Sequence, residues 1–429
     1  MVLYVRRVVA RVKQMTVQVI RHRKNNFDFT TNQPTDFTKL KSVGFKLHKA
    51  MRFSNFLINI LQTGLPLLVV ACQISDKNKV ADTIKKISVT EFKHKGKFDL
   101  DTLITDYKII ALDYPKIIAE LSQVKFANDK IYVRDEKTIA LLEFTTDGKF
   151  IKQIGNIGAG PGEYLSMDFF DIDKNTGDIF VLSESKRVLL KYSKDGGYIS
   201  EQKLPVYAYS FTLIDNGILL FLNSNPNELS GTCDLMVCDR DLKVKDKLVC
   251  PEKNSDWICT LSGIVDRNES GIVVAKSLEN RIGYFSDNKI IQKYSVDFGK
   301  LALPEEYKLS FGKYAKHAAE YEYLSKPIFE NDKYLAFYYM SKSTIKFFIH
   351  DKKRNVSFDD EVNFEYKGFN SAIAGFGIID LKGDYFLAKL DPDQMNDSDF
   401  KMGDSKILKK IVSMKPKNHV LVSFKLKLP

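Results

Sequence analysis

Two stretches of the chain are close copies of each other. Residues 131–151 read IYVRDEKTIALLEFTTDGKFI, and residues 179–199, which begin 48 positions later, read IFVLSESKRVLLKYSKDGGYI. Each copy alternates short runs of β-branched and aromatic residues with a tight turn, Asp147-Gly148 in the first and Asp195-Gly196 in the second. A repeat of this length, built from strands and turns, is typical of arrayed β units and predicts an all-β fold.

Six apolar runs continue this pattern and are predicted to be the central strands of six blades. They recur about every 51 residues, the size of a four-stranded propeller blade with its loops. The runs are 131–133, 179–181, 218–221, 272–275, 334–338 and 385–388. The final strand, 419–428, has apolar residues at alternate positions, and segment 103–114 is similarly apolar. We therefore predict a six-bladed β-propeller in which the N-terminal strand 103–114 closes the last blade.

The formal net charge of +11 is concentrated at the N-terminus. Residues 1–50 hold 11 Lys/Arg and 2 Asp/Glu, a net of +9, and Arg52 adds one more. From Cys72 onward, 53 basic and 52 acidic residues leave a net of +1. A nearly neutral body lacks the basic surface that binds phosphate backbones, so the composition argues against a nucleic-acid partner.

An apolar segment near the N-terminus predicts export. Residues 51–71 begin with Met51-Arg52, continue as an apolar run and end in small residues before Cys72, as a secretory signal peptide does. The position of Cys72 resembles that of the cysteine in a bacterial lipobox, and we predict it as the lipidation site. A transmembrane helix is the alternative, but the run is short and interrupted by polar residues.

The neighbouring segments complete the predicted domain organisation. Residues 1–50 are either a basic targeting arm or, as we favour, an upstream extension outside the fold. Residues 72–97 are polar and rich in lysine, which predicts a tether. Residues 98–429 then form the propeller.

Two further strings allow a comparison with a known family. Residues 158–164 read GAGPGEY and residues 294–300 read YSVDFGK. The same chain also contains the hairpins and the lipobox-like leader described above. With these features, residues 98–429 resemble the bacterial six-bladed β-propeller lipoproteins, which are distant relatives of NHL-repeat propellers. The resemblance implies an exported, lipid-anchored propeller, of a kind that usually has no established activity. We predict that it is located in the cell envelope, at the outer membrane.

The glycine-rich string predicts a structural turn instead of a phosphate-binding loop. No Lys-Ser/Thr pair follows it, and a strand-like run comes next, whereas phosphate loops open a helix. By analogy with NHL-type propellers, this connection shares a face with the loops that follow each central strand. We predict that this face binds a partner through Arg134, Glu163, Tyr164, Glu184, Arg187, Asn280 and Arg281.

Signals for catalysis or metal binding are weak. The histidines after Cys72 are not at metal-ligand spacing, and the acidic run 391–399 lacks the glycine turn of a calcium loop. We predict no metal and no cofactor, and no catalytic residue can be named. Disulfides are permitted, with Cys233 and Cys250 across a hairpin as one arrangement, but we predict buried free thiols. The prediction covers Cys233, Cys238, Cys250 and Cys259.

Together these observations predict an exported, lipid-anchored propeller that serves as a binding or scaffolding module. Its partner, at the mouth of the channel, would be a peptide, a glycan or an envelope protein. The alternative hypothesis is a propeller enzyme, a lyase or hydrolase that uses a metal bound in the channel, and we consider an enzyme the weaker hypothesis.

Overall fold

Six small sheets, whose strands within each blade are antiparallel, form the six blades of a β-propeller. This architecture comes from a computed structural model, which describes residues 84–90, 100–223, 227–231, 233–249, 265–275, 278–361, 369, 377–395 and 403–428. The predicted fold class is therefore confirmed. None of the helices within these ranges is long and apolar enough to cross a lipid bilayer.

The strands are numbered along the chain. Two precede blade one, β1 (Lys85–Ser88) and β2 (Ile104–Ala111). Blade one contains β3 (Leu121–Ala127), β4 (Lys130–Asp135), β5 (Ala140–Thr145) and β6 (Phe150–Ile154). The short strands β7 (Asn156–Ile157) and β8 (Glu163–Tyr164) lead to blade two, which contains β9 (Phe169–Ile172), β10 (Ile179–Ser183), β11 (Val188–Tyr192) and β12 (Tyr198–Lys203). Blade three contains β13 (Ser210–Ile214), β14 (Gly217–Phe221), β15 (Leu235–Cys238) and β16 (Val244–Leu248).

The remaining blades follow the same order. Blade four contains β17 (Val265–Asn268), β18 (Gly271–Val274), β19 (Arg281–Ser286) and β20 (Lys289–Asp297). Blade five contains β21 (Glu322–Glu330), β22 (Tyr334–Ser341), β23 (Thr344–Asp351) and β24 (Val356–Glu361). Blade six contains β25 (Ile378–Lys382), β26 (Tyr385–Leu390) and β27 (Val420–Leu426). In every blade the second strand begins within one residue of the start of a predicted central run.

The central strands are continuous apolar runs because both faces of each blade are covered by neighbouring blades. Ile131, Tyr132 and Val133 are all buried. Tyr132 packs with residues of blade two such as Val181, whereas its two neighbours belong to a cluster that includes Leu387 of blade six. Successive side chains of a strand point to opposite faces, so each face of the blade meets a different neighbour.

The ring is closed by the N-terminal strand, as predicted. β2 pairs antiparallel with β27, from Ile104 opposite Leu426 to Ala111 opposite Val420, and becomes the outermost strand of blade six. Next to this pairing, Asn418 Oδ1 accepts a hydrogen bond from the Ile118 amide at 2.7 Å. Closure of this kind gives blade six a complete sheet of four strands.

A second strand from the N-terminal side joins blade four. β1 pairs in parallel with β20, from Lys85 opposite Tyr294 to Ser88 opposite Asp297. It lies inside segment 72–97, which the sequence predicted to be a tether, so part of that segment belongs to the sheet of blade four. The predicted extension, leader segment 51–71 and Cys72 lie outside the described residues.

Helical segments occupy the connections between strands. They are Leu100–Leu103, Glu305–Lys308, Phe311–His317, Pro392–Met395 and Lys406–Met414, with 3₁₀ turns at Gly299–Leu301 and Ala318–Glu320. The helix at Lys406–Met414 begins at Ser405, whose side chain accepts a hydrogen bond from the Leu408 amide at 3.4 Å. This helix was not predicted, and it buries Ile407, Leu408 and Ile411 on one face.

One prediction about the cysteines is wrong. Cys233 is disulfide-bonded, and its partner lies outside the described residues. Cys238 is a buried free thiol, as predicted. Cys233 lies just before β15, and the pairing of β15 with β16 brings the two ends of that hairpin together. A disulfide across this hairpin was one of the arrangements that the sequence permitted, but free thiols were predicted. Cys250 and Cys259 are outside the described residues.

Candidate binding site at the channel mouth

The innermost strand of each blade lines a central channel. These strands are β3, β9, β13, β17, β21 and β25, and they enclose a cavity of 680 Å³. Its wall is partly aromatic and partly charged. The aromatic side chains are those of Phe126, Phe169, Phe211 and Phe329, and the charged ones include Lys125, Asp171, Arg267, Asp380 and Lys389.

A hydrogen-bonded group around Asp171 ties four blades together inside the channel. The buried Asp171 carboxylate of blade two accepts from Lys125 Nζ of blade one at 2.7 Å and from Thr212 Oγ1 of blade three at 3.0 Å. Arg267 Nη2 of blade four lies 4.0 Å from the same carboxylate and donates to Thr212 Oγ1 at 3.1 Å. Burial alone would raise the pKa of Asp171, but the two cations and these hydrogen bonds hold that pKa below its usual value.

Two other ionisable groups of the wall lack an ion-pair partner among the described residues. Asp380 accepts one hydrogen bond, from the adjacent Leu381 amide at 2.8 Å, and burial raises its pKa despite the influence of Lys125. Lys389 Nζ donates to the Leu121 carbonyl at 2.9 Å, and burial lowers its pKa. These two side chains are therefore the wall groups whose charge a ligand in the cavity would affect most.

One face of the ring carries both the connections between blades and the loops between second and third strands. The two sets share a face because neighbouring strands within a blade are antiparallel. We call it the mouth face. Leu121 and Phe169 are the first residues of two innermost strands and also line the cavity, so the cavity extends to this face.

The predicted site residue Glu163 holds the glycine-rich turn together. Its Oε2 accepts a hydrogen bond from the Gly160 amide at 2.9 Å. A Cβ atom at Gly158 would lie 2.0 Å from the same oxygen, so only glycine permits this close approach. The turn is a compact connection in which β7 and β8 form a short parallel pair.

Tyr164 lies in the junction between blades one and two and not on the mouth surface. Its ring is fully buried, and its hydroxyl donates to the Ile154 carbonyl at 3.0 Å. It packs in a cluster that contains Tyr132 of blade one and Phe170 of blade two. Burial raises the pKa of Tyr164 to about 12. Its contacts are those of a packing residue.

The Arg134 side chain also makes most of its contacts in the junction between blades one and two. Its side chain is only 13% exposed. Nη1 donates to the carbonyls of Met167, at 2.8 Å, and Asp168, at 2.5 Å, both in the connection into blade two. Nη2 lies 3.1 Å from Glu136 Oε2. Substitution of Arg134 would therefore disturb the fold and binding together.

Five side chains form a cluster at the mouth between blades two and three. This mouth cluster consists of Asp168, Glu184, Arg187, Tyr207 and Tyr209. Asp168 and Tyr209 immediately precede the innermost strands β9 and β13, and Glu184 and Arg187 flank the loop between β10 and β11. Tyr207 is 37% exposed and Tyr209 is 41% exposed. The cluster therefore combines ionisable groups with accessible aromatic rings.

Ionisable groups in the mouth cluster influence one another. Burial and the neighbouring Asp168 raise the pKa of Glu184 to about 7, while Arg187 acts in the opposite direction. Burial and the carboxylates of Glu184 and Asp168 raise the pKa of Tyr207 to about 12, with a further contribution from Tyr209. Pairs of close carboxyl groups in partly buried settings are frequent at functional sites.

The other two predicted site residues lie in a different sector of the ring. Asn280 is the last residue of the loop between β18 and β19 of blade four, and Arg281 is the first residue of β19. Asn280 Oδ1 accepts from the Leu324 amide of blade five at 3.2 Å, whereas Arg281 is exposed. The structure thus groups Arg134, Glu184 and Arg187 near blades one and two. Whether any predicted site residue binds a partner stays a prediction.

Sequence reasoning missed the two tyrosines and the channel acid. Tyr207-Ala208-Tyr209 lies between the repeat and β13, where a polar connection is usual, so this aromatic pair was the available signal. No comparable signal marks Asp380, because its burial results from ring closure. Among the described residues, no three His, Cys, Asp or Glu side chains are grouped so that they could hold a metal ion.

The fold and site define a six-bladed β-propeller with a candidate site at its channel mouth. The sequence model of the family described as "Domain of unknown function (DUF4934)" matches residues 84–425, and the chain belongs to this family. No match was found among curated proteins.

Solved structures share this architecture. A candidate exported protein from Bacteroides fragilis is 18% identical, with a TM-score of 0.67, over 80% of this chain and 100% of that chain. A DUF4221-family protein from Bacteroides vulgatus is 12% identical, with a TM-score of 0.49, over 76% of this chain and 97% of that chain. Virginiamycin B lyase from Staphylococcus aureus is 14% identical, with a TM-score of 0.41, over 66% and 82%. At 18% identity, the similarity to the Bacteroides fragilis protein indicates the fold and not an activity.

Proposed function

We propose that the chain is an exported, lipid-anchored, NHL-like propeller that binds an envelope partner at the mouth of its channel. The observation that carries the proposal is the mouth cluster, in which exposed tyrosines and ionisable side chains lie on the face where the strands that line the cavity begin. Ligands usually bind in concave sites that combine apolar walls with a few convergent polar groups. Loops on a rigid scaffold are the usual carriers of such groups.

Export is supported by the disulfide at Cys233. Structural disulfides persist in oxidising compartments and are rare in the cytosol. The Bacteroides fragilis protein of similar fold is itself described as exported. In the proposal, acyl chains on Cys72 hold the propeller to the outer membrane, because stable membrane residence takes more than one acyl chain.

The enzyme alternative has no specific observation in its favour. A lyase or hydrolase that uses a channel metal needs a set of ligating side chains, and no such set occurs among the described residues. The binding hypothesis needs only the surface and cavity already described. We therefore place binding ahead of catalysis.

Lipid anchoring is tested by Cys72→Ala. We expect the native protein to incorporate an alkyne-tagged palmitate and to fractionate with membranes, and the variant to do neither. The variant should also retain segment 51–71, because removal of a lipoprotein signal follows lipidation. An unlabelled native protein, or a native chain that keeps residues 51–71, would show that the segment is not a lipoprotein signal.

Partner binding at the mouth is tested by site-specific photo-crosslinking. Benzoylphenylalanine replaces the exposed Arg187 in the mouth cluster and, as a matched control, the exposed Asp332 in the turn between β21 and β22 on the opposite face. We expect a discrete adduct in envelope preparations from position 187 only. Adducts of equal yield from both positions, or from position 332 alone, would contradict a mouth site.

A further inference from the structure

The two tyrosines of the mouth cluster, Tyr207 and Tyr209, project from the same side of the connection into blade three. Burial alternates along this segment: Val206, Ala208 and Ser210 are buried, whereas Tyr207 and Tyr209 are exposed. Four tyrosines of the described chain are exposed to this degree, and two of them are these neighbours. Adjacent exposed aromatic rings are costly to leave uncovered, and they mark a surface suited to a ligand with a flat apolar face.

The polar groups beside the tyrosines are open to a ligand. In the described structure neither the Glu184 carboxyl nor the Arg187 guanidinium hydrogen-bonds another protein group through its side chain, although the two affect each other electrostatically. Asp168 differs, because its Oδ2 already accepts from the Glu184 amide at 2.8 Å. In the described structure, the cluster thus presents a carboxyl and a guanidinium that make no side-chain hydrogen bond to the protein, next to the two rings. The carboxyl can accept hydrogen bonds from sugar hydroxyls, and the guanidinium can donate to them.

We propose that the mouth cluster binds a neutral glycan, with Tyr207 and Tyr209 stacking on sugar rings while Glu184 and Arg187 bond sugar hydroxyls. This inference rests on the proposed function and names the ligand class for the same site. The C–H face of a pyranose carries partial positive charge and complements the negative face of an aromatic ring. Its hydroxyls are both donors and acceptors, which matches a carboxyl and a guanidinium placed side by side.

A peptide fits the surface less well. Extended peptides usually add to an exposed strand edge, and helices dock in apolar grooves. At the mouth face the strands end in loops, and the rings are bordered by charges instead of an apolar groove. An acidic glycan is also disfavoured, because the Asp168 and Glu184 carboxyls would repel it.

The test measures binding of full-length protein in detergent by isothermal titration calorimetry. The glycan probes are neutral hexasaccharides of glucose, mannose, xylose and N-acetylglucosamine, with hexagalacturonate as the acidic arm. For the peptide arm, heptapeptides selected from a random phage-displayed library on the same protein are synthesised and titrated in the same way. We expect at least one neutral hexasaccharide to bind, and Tyr207→Ala and Tyr209→Ala each to weaken it about tenfold or more.

Two further variants separate ring stacking from loss of structure. Tyr207→Phe keeps the ring and should retain most of the affinity. Tyr385→Ala removes a tyrosine of similar exposure in the hairpin between β25 and β26 on the opposite face, and should leave the affinity for the hexasaccharide unchanged. Each variant is accepted only if its thermal unfolding is cooperative, and Tyr207→Phe provides the decisive comparison if an alanine variant fails to fold.

The possible outcomes distinguish this inference from the proposed function. If only peptides bind, and Tyr207→Ala abolishes that binding, the mouth is the ligand site but the glycan assignment is wrong. If a neutral hexasaccharide binds with equal affinity to both alanine variants, the glycan site lies elsewhere. If no neutral hexasaccharide binds, the inference fails, while adducts from position 187 would still support a mouth site.

Discussion

Two buried residues at junctions between neighbouring blades make different kinds of interaction. Between blades one and two, the Tyr164 ring packs in an apolar cluster and its hydroxyl donates a hydrogen bond to the Ile154 carbonyl. Between blades four and five, the buried Glu330 carboxylate is bonded by Lys293, at 2.8 Å, Tyr294, at 2.6 Å, and Tyr284. Tyr164 thus acts mainly through its shape and Glu330 through its buried charge, so substitutions of these two residues should differ in their effects on stability and on its pH dependence.

Glu330→Gln should have the largest effect. The substitution keeps the shape but removes the negative charge, leaving Lys293 and Lys352 without their shared carboxylate. Breaking a buried ion pair costs about 3–5 kcal/mol, and we expect the lower end because Lys293 can reach solvent. Chemical denaturation should therefore report a loss of about 3 kcal/mol in the free energy of unfolding.

The pH dependence of this junction has a definite sign. Burial raises the pKa of Glu330, but the bonds from Lys293, the two tyrosines and Lys352 outweigh it and hold the pKa below its usual value. The stabilisation is therefore complete above the pKa of an unfolded glutamate and is lost as the pH falls through the lowered pKa. The surface control Glu136→Gln should cost less than about 1 kcal/mol. Equal losses from both variants would show that the Glu330 network adds little.

Tyr164→Phe should have an intermediate effect. The ring and its packing remain, and only the hydroxyl that donates to the Ile154 carbonyl is lost. We expect a loss of about 1 kcal/mol in the free energy of unfolding, the usual net value of one buried hydrogen bond. The matched control is Tyr198→Phe, at an exposed tyrosine, which should change stability by less than about 0.5 kcal/mol. A loss as large as that of Glu330→Gln would remove the contrast between the two residues.

The same contrast explains how much of the fold could be predicted from the sequence. The central strands could be identified because both faces of a blade are buried, which makes runs such as 131–133 continuously apolar. The closing strand was found for the same reason. The Glu330 network could not be predicted, because its members come from β19, β20, β21 and the residue that follows β23, and they meet only after two blades have packed.

The candidate site could be predicted only in part. The repeat located the central strand before Glu184 and Arg187, and the analogy with NHL-type propellers placed the loop that follows it on the mouth face, where the structure has both residues. It could not show that Arg134, at the corresponding end of its strand, turns inward to the Met167 and Asp168 carbonyls. That orientation depends on the neighbouring blade. Tyr207 and Tyr209 lie outside the repeat and were missed.

Glu184→Gln should give the smallest effect, and its sign should be opposite to that of the other two substitutions. In the folded protein, burial and Asp168 raise the pKa of Glu184 to about 7 from its model-peptide value. Ionisation is therefore less favourable in the folded than in the unfolded state, and this group destabilises the protein increasingly as the pH rises from about 4.5 to about 7. Converted in full to free energy, the change in pKa would correspond to roughly 3 kcal/mol, and partial exposure of the side chain reduces this to about 1 kcal/mol.

We expect the Glu184→Gln variant to gain about 1 kcal/mol in the free energy of unfolding at about pH 8 and nothing at about pH 4, measured by urea unfolding at both values. The exposed control Glu306→Gln should stay within about 0.5 kcal/mol at both. A loss of stability at about pH 8 would mean that the ionised Glu184 carboxylate is held by a protein group, and the mouth would then lack the open acid on which the glycan assignment depends.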